Sequence, residues 1–225
     1  MQVSSNFKNH RIKLDMEEKK FVFKRSFSDG ANRELVLNEN FLKFADKDFE
    51  NPFTVFEKNE IKDYRFGIRW IRFELTYGRE YQIFIRNIEN QVIKLSFKSY
   101  FGRKKQVLHN LYADILDDLW ERYFSNIVDE LLNKYENNEE FSIADVHFKK
   151  DGIELNISGI FNQKRVEIVW ENIRTKAYHT YFSIYSTENP AELNRGYNYK
   201  EDWNTNVLYS VLRTILKRKG IEKYK

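Results

Sequence analysis

The stretch from about residue 107 to 136 constrains the fold more than any other. Apolar residues recur at Leu108, Leu111, Ile115, Leu119, Tyr123, Ile127, Leu131 and Tyr135, and Tyr112, Leu116, Trp120, Phe124, Val128 and Leu132 widen the stripe. Steps of three and four place these side chains on one side of an amphipathic helix. No Pro or Gly interrupts it, and Asn137 and Asn138 offer a stop. At about 1.5 Å per residue, roughly 30 residues reach on the order of 45 Å, more than one small domain needs. Such a helix is expected to bridge two bodies.

Both flanks read as strands: short β-rich runs broken by Gly, Asn and Asp turns, from about His10 to Lys98 and from about Phe141 to Tyr199. A second amphipathic helix at about 204–217 carries Val207, Leu208, Val211, Leu212, Ile215 and Leu216 on one stripe. The order strands, helix, strands, helix defines an α+β chain. Near the N-terminus, Ile12 and Leu14, then Phe21, Phe23 and Phe27, alternate with polar residues around a turn at 28–32, which predicts an added hairpin. In the long run from Ile61 to Thr76, Phe66, Ile68 and Trp70 share one parity and Phe73, Leu75 and Tyr77 the other. That phase change predicts a bulge or corner near Trp70 and Ile71.

The second half repeats the first in outline. Glu57-Lys-Asn-Glu-Ile61 resembles Val169-Trp-Glu-Asn-Ile173, Tyr81-Gln-Ile-Phe-Ile85 resembles Tyr181-Phe-Ser-Ile184-Tyr, and the helical segment around Tyr112 resembles that around Tyr209. From Ile61 to Tyr112 is 51 positions and from Ile173 to Tyr209 is 36, so the first copy carries about 15 more. Extra strand around 67–79 accounts for them.

A unit of several antiparallel strands ending in one amphipathic helix resembles the pleckstrin-homology superfold, over about 38–134 and again about 142–219. Trp120 is similar to the Trp that such closing helices pack against the sheet, whereas in the second copy Trp203 lies before the helix. The resemblance implies two antiparallel β-barrel or sandwich domains, each closed by a C-terminal helix: a strand extension at 1–37, a first domain at 38–136 and a second at 141–225. Lipid-binding members carry a basic motif in their first hairpin, and neither copy has it.

Composition narrows the chemistry. Zero Cys excludes disulfides, thiol nucleophiles and Cys-based metal centres. His10, His109, His147 and His179 stand apart without ligand spacing, so no metal and no cofactor is expected. Asp114, Asp117, Asp118 and Glu121 form an acidic helix face lacking the second cluster that a Mg²⁺-diphosphate site needs. Glu74, Glu80, Glu154 and Glu167 are not followed two positions later by Lys, and no phosphate loop or nucleophile elbow occurs. A non-catalytic protein is expected. No signal peptide or membrane span is evident, which predicts a cytoplasmic location.

Charge is unevenly spread. Residues 62–105 hold eleven basic and four acidic residues, and residues 107–145 hold ten acidic and two basic. The two are expected to neutralise each other in part or to form solvated faces. On strand alternation, Arg65, Arg69, Arg72, Arg86, Lys94 and Lys98 should share one outward face, with Arg103, Lys104 and Lys105 in the adjoining loop and Phe84, Tyr100 and Phe101 interleaved. The expected role is recognition of a protein partner through a strand edge or the groove beside a closing helix. The alternative is docking of the basic strands to an anionic surface, membrane headgroups or nucleic acid.

Overall fold

The computed structural model describes residues 18–26, 28–45, 53–158 and 163–221. The strand expected around Ile12 and Leu14, and Phe27, lie outside them. Strands β1 (Lys19–Phe23), β2 (Arg33–Leu37), β3 (Phe41–Ala45) and β4 (Thr54–Glu57) pair antiparallel in chain order. The hairpin expected across the 28–32 turn is thus β1–β2, half of the first sheet. A 3₁₀ turn, Lys58–Glu60, leads into a three-stranded sheet of β5 (Ile61–Phe73), β6 (Thr76–Asn87) and β7 (Val92–Tyr100).

The second half follows the same order. Strands β8 (Phe141–Ile143), β9 (Val146–Phe148), β10 (Gly152–Ser158) and β11 (Gln163–Val169) form a four-stranded sheet. The 3₁₀ turn Trp170–Asn172 precedes the three-stranded sheet of β12 (Ile173–Ala177), β13 (Tyr181–Ser186) and β14 (Asn194–Asn198). Ile61 and Ile173 are therefore the first residues after matching turns. The extra length of the first copy sits where expected, because β5 and β6 have 13 and 12 residues against 5 and 6 in β12 and β13.

Two expectations are corrected. No sheet closes into a barrel: each half has two separate sheets sharing a core, as where Phe23 of β1 meets Phe97 of β7 at 5.2 Å between ring centroids. The long helix is also not one regular α-helix. Helix α1 (Lys105–Leu119) and helix α2 (Ser125–Glu136) are joined by a π turn at Trp120–Phe124, where Ser125 N–H reaches back to Trp120 O. One extra residue rotates the following face by about 100°. The buried row accordingly passes from Ile115, Leu119 and Tyr123 to Phe124, Val128 and Leu132. Helix α1 packs on β7, whereas α2 leans on β8 and on α3 (Thr205–Arg218). The wide apolar stripe is two offset rows: Phe124 still stacks on Tyr64 of β5, 3.7 Å between centroids, and the row beyond it turns towards the second half.

The predicted bulge at Trp70 and Ile71 is absent. The β5–β6 register runs unbroken from Asp63 opposite Arg86 to Phe73 opposite Thr76, and its one shift lies between Ile61 and Asp63. The parity reading assumed that every aromatic residue faces the core. Beyond Ile71 the hairpin leaves the core, and Phe73, Leu75 and Tyr77 stand in solvent.

Candidate functional site

Cross-strand register puts Arg65, Arg69, Arg86, Lys94 and Lys98 on the outer face of the β5–β6–β7 sheet. Arg72 is a correction. With no bulge before it, it falls on the opposite side, with Trp70 and Arg79. Three of the five cations are paired from within the sheet. Glu80, buried between strands, accepts from Arg69 Nε at 2.8 Å and Ser96 Oγ at 2.7 Å, and Lys98 Nζ lies 3.9 Å from it. Arg86 is bound to Asp63, its Nε at 2.9 Å. Arg65 lies between the rings of Phe84 and Trp203, at 4.8 and 4.7 Å, and donates to Glu201 O. Lys94 rests 5.7 Å from the centre of the Phe84 ring.

The acidic helix takes no part in this pairing. Its inward Asp118 pairs with Lys19 and Arg122, while Asp114, Asp117 and Glu121 are exposed. Buried carboxylates within the sheet satisfy its own arginines because cross-strand neighbours lie closer than any helix residue.

Burial pushes the Glu80 carboxyl up, but hydrogen bonds from Ser96 and Arg69 and the charges of Lys98 and Arg69 more than offset this and hold it below 4.5. Its stabilising effect is therefore complete above pH 4.5 and is lost as pH falls through the lowered folded value. Glu80→Gln should cost about 1 kcal/mol at neutral pH, a value kept small by the exposure of Arg69. Urea unfolding across the acid range checks this, and the gap between parent and variant should close as pH falls through the lowered folded value.

A groove of about 460 Å³ opens on the other side of β5, between that strand, α1 and the second half. Phe66, Ile68 and Trp70 of β5, His109 and Tyr112 of α1, and His179, Tyr199 and Lys200 of the second half line it. Arg79 lies over the Trp70 ring at 4.3 Å. No Asp or Glu lines the groove. Burial pushes the Tyr112 and Tyr199 hydroxyls up, so both remain neutral donors. Gly67 permits the close approach of the second half, because a Cβ there would meet Lys200 Cβ at 2.6 Å.

The free edge of β5 carries the groove. Its even-numbered residues turn their backbone groups away from β6. Lys62 O accepts from Asn204 Nδ2, Tyr64 N–H donates to Asn204 Oδ1 at 3.0 Å and Tyr64 O accepts from Asn204 N–H, and Phe66 N–H donates to Tyr199 O at 2.9 Å. By the same alternation Ile68, Trp70 and Arg72 present an N–H and a C=O each along the groove. Among the described residues nothing is hydrogen-bonded to these groups. Sequence reasoning took His109 and His179 as separate imidazoles and missed this edge. The one local signal was Gly67 within an aromatic strand.

Among the described residues no cluster of His, Asp and Glu is placed to hold a metal ion, and no helix is long and apolar enough to cross a membrane. No protein-family model and no curated protein sequence matches the chain.

Proposed function

We propose that the chain is a non-catalytic, cytoplasmic recognition protein of two tandem pleckstrin-homology-like units, and that its first unit binds an extended peptide segment of a partner protein along β5. The twice-repeated order of four strands, 3₁₀ turn, three strands and helix supports the two units. One observation carries the binding site. The chain already uses the β5 edge for its own residues 199–204 as far as Phe66, and leaves the next three outward positions open beside an aromatic groove. Backbone groups of an added strand supply affinity, and side-chain pockets supply selectivity. Arg79, over the Trp70 ring and with no carboxylate lining the groove, favours an acidic residue in the peptide, and Phe66, Ile68, Trp70 and Tyr112 favour apolar anchors within it.

Panning random peptides of about a dozen residues against the full chain tests this. Enriched sequences should alternate apolar and acidic residues. Ile68→Pro deletes an outward N–H without touching the β5–β6 ladder, and should weaken the selected peptides at least tenfold; Ile68→Ala, which keeps the N–H and loses the same core contact, separates the edge bond from packing. Equal binding by parent and the Pro variant would place the site elsewhere. Docking through the outer basic face is less favoured, because Glu80 and Asp63 already pair with Arg69, Lys98 and Arg86 and Arg65 is held between Phe84 and Trp203.

A further inference from the structure

The β5–β6 hairpin projects beyond the sheet that carries it. β7 ends at Tyr100 opposite Gly78, and one more bond runs from Phe101 N–H to Tyr77 O at 3.0 Å. Past that point only two strands remain. At the extreme tip Phe73 and Leu75 are 75% and 90% exposed. Just behind them Tyr77 and Phe101 meet edge to face, 5.4 Å between centroids, and both remain exposed. Phe101, Gly102 and Lys104 all adopt left-handed backbone, which shapes the loop beside Tyr77. Exposed Arg72, Arg103, Lys104 and Lys105 surround these rings, and none has a carboxylate within ion-pair distance among the described residues. Glu74 is the single acidic residue among residues 72–78 and 100–105.

We propose that this tip docks the protein onto an anionic phospholipid surface, with Phe73 and Leu75 entering the acyl boundary and the four cations meeting the headgroups. The order from the tip backwards matches that of a bilayer surface: apolar side chains first, amphipathic aromatics at headgroup depth, then basic residues. A two-stranded convex tip offers far less area than the roughly 800 Å² per partner of an ordinary protein interface. A second copy is disfavoured because two tips of the same positive charge would repel. For nucleic acid, the protruding Phe73 and Leu75 would hold the cations back from phosphate. The strongly acidic stretch 107–145 would favour an orientation with this pole towards a negative surface. Phe73, Leu75 and residues 103–105, the positions varied below, do not line the β5 groove, and Arg72 offers only its backbone there, so the two sites are tested independently.

Co-sedimentation of the full chain with phosphatidylcholine vesicles, with and without about one-third phosphatidylserine, tests the assignment. Binding should require phosphatidylserine and fall steeply between about 0.1 and 0.5 M salt. The pair Phe73→Ser with Leu75→Ser, and separately the triple Arg103→Glu, Lys104→Glu, Lys105→Glu, should each reduce partitioning at least tenfold. All five positions are exposed, so melting temperatures should match the parent, and Ile68→Pro should sediment as the parent does. No binding to anionic vesicles overturns the assignment, as does unchanged binding by the Ser pair. Dimerisation without lipid that the Ser pair abolishes overturns it in favour of a second copy. Oligonucleotide binding without vesicle binding overturns it in favour of nucleic acid.

Discussion

Asn204→Ala should destabilise the protein by about 3 kcal/mol, although the residue lies outside every sheet. Asn204 precedes α3 in left-handed backbone, with φ 56° and ψ 24°. Its side chain and backbone together make four hydrogen bonds to β5: N–H to Tyr64 O at 2.8 Å, Oδ1 from Tyr64 N–H at 3.0 Å, and Nδ2 to Lys62 O at 3.1 Å and to Asp63 Oδ1 at 2.8 Å. Alanine would leave the Tyr64 N–H and Lys62 O without the partner that terminates the β5 edge. Each such buried group costs about 1 kcal/mol or more, and left-handed backbone adds roughly 1 kcal/mol for a residue with a Cβ and no local side-chain bond. Asn204→Gly should recover the backbone part only. Equilibrium denaturation of the three proteins measures both parts. A loss under about 0.5 kcal/mol for the alanine variant would mean that the two halves do not depend on this clamp.

Trp170→Ala should cost about 3–5 kcal/mol, the range for a large aromatic removed from a packed core. Trp170 is 1% exposed in the turn that joins the two sheets of the second half. Its Nε1–H donates to Lys150 O at 2.9 Å, and its ring meets Phe148 of β9 at 6.2 Å and Tyr135 of α2 edge to face at 5.5 Å. Lys219, just past α3, stands 5.6 Å from its centre. One side chain therefore ties the second sheet pair to both helices. Trp170→Phe keeps most of the apolar contact and loses the hydrogen bond, so about 1–2 kcal/mol is expected. Chemical denaturation followed by circular dichroism gives both values. Equal losses for Ala and Phe would mean that the Lys150 bond, and not packing, sets the contribution.

The two variants probe different joints. Asn204 fixes the second half against the edge of β5, and Trp170 fixes it against α2. Loss of either should loosen the walls of the groove contributed by His179, Tyr199 and Lys200, so peptide binding should weaken along with stability. Such an effect differs from that of Ile68→Pro, which removes an edge N–H and one lining side chain of β5 and leaves the walls from the second half in place.

Local periodicity determined much of this protein. The three-and-four spacing of apolar residues located α3 and, as one helix, the span of α1 and α2, and alternation with turn residues marked both flanks as β-rich and located the first hairpin and the β5 run. The likeness of the segments ending at Ile61 and Ile173 marked two matching turns, and the extra length of the first copy pointed to the β5–β6 hairpin. Five of the six cations assigned to one outer face lie there. Tertiary structure alone decided the rest. Arg72 changed sides because parity was read from aromatic residues that leave the core at the hairpin tip. The π turn was hidden because a wide stripe fits both one helix with a broad face and two rows offset by a residue. The groove brings His109 of α1 beside His179 and Lys200, and Asn204 bonds to residues 140 to 142 positions away. Alternation and helical spacing record which side of an element is apolar over a few residues. They hold no information on which strand edge a segment so distant in the chain will cover, and that choice, made when the two halves pack together, left Ile68, Trp70 and Arg72 open.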